Sequence, residues 1–260
     1  MGIFALGDLH LSHASSKPMD VFGPNWAGHE QRIQAAWTAM VTPQDIVLVP
    51  GDISWAMHMA EAAPDLAFIA SLPGRKVLLR GNHDYWWSSL SKVRSLLQPD
   101  MFALQNDCIC LDGWAIVGTR GWVCPGSALF DPSRDQKLYD RECIRLELSL
   151  QAAPPNLPKI CMLHYPPFNE KRQPSGFTEL LEAHGVRYVV YGHLHGRSCK
   201  NAFEGERNGI NTIFVPPITW ASLPSAFWKA DGRCPPFAAW WRLYFFSLLT
   251  YAINAAIVNL

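Results

Sequence analysis

Eight side chains suited to metal binding stand at or just past the ends of short apolar runs: Asp8, His10, Asp52, Asn82, His83, His164, His193 and His195. The runs are IFALGDLH (Ile3 to His10), DIVLVPGD (Asp45 to Asp52), KVLLRGNHD (Lys76 to Asp84), KICMLH (Lys159 to His164) and YVVYGHLH (Tyr188 to His195). In all but the fourth, a glycine directly precedes the first polar residue: Gly7, Gly51, Gly81 and Gly192. Runs of this length, bounded by Gly or Pro, read as buried strands. Open α/β sheets place their ligands just beyond the carboxyl ends of strands, so these donors are expected on one rim. Each motif alone has an ordinary reading. Asp-x-His can cap a turn, and Asn and Asp tolerate turn dihedrals. Five such motifs in order, each at a strand end, point to a bound cation and a metalloenzyme.

The elements that must carry these strands alternate along the chain. A helix pattern runs from His29 to about Met40, with Ile33, Ala36, Trp37 and Met40 on one face. Further helices are expected near Met57–Ser71, ending at Pro73-Gly74, and from about Ser88 to Leu97. This β-α-β-α order predicts a partly parallel sheet with right-handed crossovers. Asp112-Gly113 predicts a hairpin between Asp107–Leu111 and Trp114–Val117, with Cys108 and Cys110 on one strand face as small core residues. A helix over Gln136–Ala152, the strand KICML, and a short helix near Phe177–His184 complete the alternation.

In this order the motifs Asp8-x-His10, Gly51-Asp52, Gly81-Asn82-His83-Asp84, His164 and Gly192-His193-x-His195 resemble the calcineurin-like metallophosphoesterase superfamily. The resemblance runs from Ile3 to about Gly196. It implies a four-layer α/β/β/α sandwich with a mixed sheet and a dinuclear metal centre. One metal would be held by Asp8, His10, Asp52 and His195, the second by Asp52, Asn82, His164 and His193, with Asp52 bridging. His83 would act on the reaction without binding metal. Imidazole, carboxylate and amide donors without thiolate suit Mn, then Fe, Zn or Co, over a structural zinc. The implied activity is hydrolysis of a small phosphate mono- or diester by metal-activated water. The alternatives are a metal-dependent nuclease and a catalytically silent metal-bound interaction module. In the Ser/Thr phosphatase branch an aspartate three residues after the Gly-Asp motif orients the catalytic histidine. Here Trp55 stands there, which weakens the phosphoprotein phosphatase reading and leaves Asp84 as the candidate to orient His83. The KPMDVFG and GDISWAM stretches look most like a group of uncharacterised bacterial phosphohydrolases. Trp55 and Tyr85 are candidates to stack on a leaving group, and Arg120 to grip phosphate oxygens. An ion pair of Arg120 with Asp131 or Asp135 is the competing reading.

Composition bounds the rest. Twenty-two basic residues balance 22 acidic ones, which gives no electrostatic case for nucleic acid. Seven cysteines without a Cys-x-x-Cys pair, and a strand entered at Ile3 without a signal peptide, fit a reducing cytoplasm. The oligomeric state is not legible. Residues 1–209 are expected to form the metallophosphoesterase domain, and 210–260 an atypical Pro/Trp-rich tail. Within the tail Ile210–Val215 is the late strand candidate. Phe237 to Leu260, with the single charge Arg242, is long enough to span a bilayer. A membrane anchor, a buried helix or dimer contact, and a non-native end such as a shifted frame are the three readings. The last ranks first.

Overall fold

The structure is a computed structural model and describes residues 1–14, 19–217 and the short strand 228–229. Two sheets lie face to face. In the first, β1 (Ile3–Ala5), β2 (Ile46–Val49), β3 (Arg75–Leu79) and β4 (Met101–Leu104) run parallel, and β11 (Trp228–Lys229) joins β1 antiparallel. In the second, the order is β5 (Cys108–Leu111), β6 (Trp114–Thr119), β7 (Lys159–Leu163), β8 (Tyr188–Tyr191), β10 (Ile210–Phe214) and β9 (Gly205–Arg207). Its four central strands are parallel, and both edge strands pair antiparallel.

The period of two in each strand builds the layers. Phe4, Val47, Val49 and Leu78 turn outward and pack with α1 (His29–Met40) and α2 (Met59–Ser71) through Ile33, Trp37, Leu66 and Ile69. Their neighbours Ile3, Ala5, Ile46, Leu48 and Val77 turn inward and meet Ile116, Ile160, Met162 and Val190 of the second sheet. On the far side Val117, Cys161, Leu163 and Tyr191 meet α4 (Pro132–Gln151) and α5 (Gly176–Ala183) through Tyr139, Leu146, Phe177 and Leu181. Strands buried on both faces are hydrophobic throughout, which is why the runs read as continuous. The molecule is therefore the expected α/β/β/α sandwich.

Some expectations need correction. The helix expected over Ser88–Leu97 contracts to α3 (Leu90–Arg94). Strand β4, only four residues long after Pro99-Asp100, was not anticipated. Helix α4 starts four residues early, because Asp131 caps it by accepting from the Ser133 N–H and Pro132 takes the first turn. Cys108 and Cys110 do share a face, with Sγ atoms 3.8 Å apart, but Cys110 is exposed and Cys108 half-buried. They lie on an edge strand, where Cys108 packs against the margin of the core and Cys110 faces out. Ile210–Phe214 is an internal strand between β8 and β9, so the second sheet continues past residue 209. The segment Phe237–Leu260 lies outside the described residues. Among those described, no helix is long and apolar enough to cross a membrane.

Candidate metal centre

Each donor leaves a strand at the same rim: Asp8 and His10 after β1, Asp52 after β2, Asn82 after β3, His164 after β7, His193 and His195 after β8. The turns are laced together by main chain. Asp8 N–H donates to Gly51 O at 3.1 Å, His10 N–H to Asp52 O at 2.9 Å and Leu11 N–H to Ile53 O at 3.0 Å. The turns must double back within two or three residues. Four donors accordingly take left-handed backbone: Asp8 (φ 52°), His10 (46°), Asp52 (51°) and His193 (72°). Such conformations cost of order 1–3 kcal/mol each outside glycine and persist where surrounding structure imposes them. The turns after β2 and β3 also touch backbone to backbone. A Cβ on Gly51 would lie 2.7 Å from the Gly81 Cα, and one on Gly81 would overlap the Asp52 carboxylate and N–H.

Ligand atoms of Asp8, His10, Asp52 and His195 all fall within 4.8 Å of one another. His195 Nε2 lies 3.2 Å from Asp8 Oδ1 and 3.4 Å from His10 Nε2, and His10 Nε2 is 3.7 Å from Asp52 Oδ2. A second group meets the first at Asp52. His164 Nε2 is 3.5 Å from Asp52 Oδ1 and 2.6 Å from Asn82 Oδ1, and His193 Nδ1 lies 3.0 Å from that amide oxygen. The His164 tautomer follows from its other nitrogen. Nδ1 stands 2.9 Å from Pro50 O, and a carbonyl only accepts, so Nδ1 carries the hydrogen and Nε2 is a bare lone pair. That lone pair faces the Asn82 oxygen and His193 Nδ1 at 3.2 Å. The lone pair and the Asn82 oxygen, 2.6 Å apart, are two acceptors facing each other, an arrangement that a cation between them would relieve. Asp52 Oδ2 is likewise buried and accepts no hydrogen bond. The residues fit a divalent metal.

Electrostatics agree. Burial pushes the His10 and His164 imidazoles below their ordinary range, and burial with the neighbouring His164 takes His193 down to about 3. These rings are neutral and ready to ligate. Burial works the same way on His195, but the hydrogen bond and charge of Asp8 outweigh it and raise that ring. Burial would raise Asp8 as well; the His195 hydrogen bond and the surrounding imidazoles hold it below the usual carboxylate range. Asp52, penalised by burial and by the Asp8 charge, is pushed up to about 8.

A family model described as calcineurin-like phosphoesterase matches residues 1–197, the stretch that contains every one of these donors. The chain belongs to the calcineurin-like phosphoesterase family. The Gene 66 protein of Mycobacterium phage D29 is 34% identical over 83 residues, covering 32% of this chain and 40% of the phage protein. Its counterpart from Mycobacterium phage L5 is 32% identical over 77 residues, covering 30% and 37%. The chain therefore matches well under half the length of either phage relative. Among solved structures, a phosphopantetheinyl hydrolase (PptH) from Mycobacterium tuberculosis superposes with a TM-score of 0.56 at 13% identity, covering 91% of this chain and 97% of that one. TT1561 of Thermus thermophilus gives 0.50 at 12% identity, covering 84% and 90%. At such identities these two share the fold.

The other predicted residues divide. His83 is half-buried beside the centre; its N–H donates to Asp52 Oδ1 at 2.8 Å and its ring lies 4.5 Å from Trp55 and 5.8 Å from His10, centre to centre. Trp55 stacks on His10 at 5.1 Å, and Trp26 meets the same ring edge-on at 5.6 Å. Tyr85 is exposed, 6.2 Å from His83. Asp84 has a different task from the one expected. Fully buried, it accepts from the N–H groups of Ile53, Ser54 and Gly81 and from Trp86 Nε1, bracing the β2 and β3 turns. Arg120 pairs with neither Asp131 nor Asp135. It lies 3.7 Å from Glu142 and over the Trp122 ring at 4.7 Å, while Arg134 occupies Asp135. Trp86 and Trp87 are core. One neighbour was missed: Tyr165, whose ring is 4.0 Å from His193. Its place directly after His164 was the available signal.

Proposed function

We propose that this phosphoesterase binds two divalent cations, Mn²⁺ preferred, and hydrolyses a small phosphate monoester or diester. The observation that carries the reading is the pair of donor groups joined at Asp52, whose Oδ2 is buried without a hydrogen bond. When bound, the cations would supply Lewis-acid charge and an activated water for in-line displacement. Asp8, His10 and His195 would hold one, Asn82, His164 and His193 the other, and the Asp52 carboxylate would serve both. The Pro50 carbonyl fixes the His164 ring so that Nε2 faces inward. His83, anchored by its main chain to Asp52, would pass a proton to the leaving oxygen or offset charge on the phosphoryl group. The leaving group has room beside His193. A groove of about 360 Å³ is lined there by Trp122, Tyr165, Leu129, Phe168 and Leu194. Of its charged members, Arg134 and Asp135 neutralise each other at 2.8 Å, and Glu170 accepts from Ser127 Oγ at 2.6 Å. An apolar or aromatic leaving group fits such a lining better than a polyanionic one.

The test uses chromogenic esters. Protein stripped of metal and reloaded with Mn²⁺, Fe²⁺, Zn²⁺ or Co²⁺ should hydrolyse p-nitrophenyl phosphate or its bis-ester and lose that activity to chelator. Inactivity with every metal on both esters, or activity indifferent to chelation, overturns the reading.

A further inference from the structure

The carboxylates around one cavity do not account for its arginines. Between the ends of β3 and β4 in one sheet and β6 in the other, beside α4, lies a space of about 250 Å³. Arg80, Arg120, Arg141 and Arg145 line it, with Glu142 the one acidic lining residue. Four positive charges against one negative leave a formal +3. Glu142 is fully buried and already committed. Its Oε1 accepts from Arg145 Nη1 at 2.7 Å and its Oε2 from Thr119 Oγ1 at 2.5 Å. Arg120 is 3.7 Å from the same carboxylate, an ion pair beyond hydrogen-bond reach. The Nε atoms of both Arg80 and Arg120 are buried and meet no hydrogen-bond acceptor. Burial pulls the Arg120 guanidinium below its ordinary range; Glu142 and Tyr165 oppose this, while Arg80 and Arg141 add to it. Buried N–H donors without acceptors cost free energy until something accepts from them. Guanidinium forks converging from several sides match the several acceptors of a tetrahedral oxyanion.

We propose that this cavity is a second anion site, taking a phosphate-class oxyanion on Arg80, Arg120 and Arg141. It lies on the rim that carries the metal centre. Arg80 precedes the donor Asn82 by two residues, and the Arg120 carbonyl accepts from the His164 N–H at 3.1 Å. The oxyanion could come from either of two sources: a second phosphoryl group on the substrate, which rests on the proposed hydrolysis, or free phosphate, which does not.

Binding is read first on metal-free full-length protein. Inorganic phosphate is titrated at low ionic strength and followed by calorimetry, beside Arg141→Gln, a change at an exposed position of α4. The expected result is one saturable site in the wild type, weakened roughly tenfold or more in the variant, the worth of one charge-assisted hydrogen bond. An absence of saturable binding, or equal binding by the variant, overturns the site. Metal-loaded enzyme then separates the sources. If Arg141→Gln lowers kcat/KM for an alkyl bisphosphate roughly tenfold and spares the matching monophosphate, the substrate supplies the anion. If both rates are unchanged while phosphate binding is weakened, the site takes free phosphate. If the loaded enzyme hydrolyses neither ester, the proposed hydrolysis falls, and the titration still decides the site.

Discussion

Asp52 is the residue on which both donor groups depend, and its protonation sets how tightly they hold metal. With its carboxyl pushed up to about 8, it carries a proton at neutral pH in the metal-free site, and a cation must displace that proton. The raised His195 acts in the same sense, whereas His10, His164 and His193 are depressed and already neutral. Metal affinity should therefore climb as pH rises toward about 8 and flatten above it, with protons released on binding. Calorimetry in buffers of differing ionisation enthalpy at pH 6, 7, 8 and 9 measures this; affinity that is level or falling across that range contradicts it. Asp52→Ala should weaken metal binding by more than about 100-fold, the upper end for changes to supporting residues alone. His83→Ala should differ: metal content near wild type, kcat down about 10²–10⁴-fold, and a smaller loss on esters with good leaving groups. A parallel fall in metal would make His83 a ligand or a folding residue. The donors were legible because each is a polar residue ending an apolar run. Asp84 was misread because it stands beside His83 in sequence; only the turned-back loop shows its oxygens facing the β2 turn.

The turns, more than the strands, are where element-level reasoning is tested. Strands β1, β2, β3, β7 and β8 were readable from composition, since burial on both faces leaves no polar alternation to confuse the period. The sequence left β4 and β9 unseen because GER carries no apolar run, and MFAL runs into Gln105 without the glycine or metal-binding residue that ended the other runs. Helix α3 was overdrawn, since Leu96 and Leu97 continue an apolar spacing that the chain leaves after Arg94. Asp84 couples two of the legible elements. Asp84→Ala would strand three main-chain N–H groups and the Trp86 indole, each worth about 1–3 kcal/mol when buried without a partner. Loss of about 3–5 kcal/mol in denaturant unfolding of metal-free protein is expected, less than the sum because the turns can relax. Unchanged stability with reduced kcat would return Asp84 to the role of orienting His83.

At the scale of the whole molecule, the first sheet ends on a strand from far along the chain. Phe4 and Ala5 of β1 register with Lys229 and Trp228 of β11. A chain ending at residue 217 would expose the β1 edge, and unpaired edges invite association. Such a truncation should aggregate or dimerise relative to full-length protein by light scattering, and melt at lower temperature. A truncated protein that is monomeric and equally stable would make 218–260 an appendage. The metal centre has a mechanical consequence of its own. Asp8, His10, Asp52 and Asn82 follow strands of one sheet, His164, His193 and His195 strands of the other. A cation gripped by both groups is a rivet through the sandwich, fastening two layers whose shared interior is packed with apolar side chains. Chelation should then loosen the seam on both sides at once. Amide hydrogen exchange should quicken together at the ends of β1, β2, β7 and β8, while amides in the middle of α1 and α4 keep their rates. Quickening confined to one sheet would mean that the layers breathe independently and the rivet carries no strain.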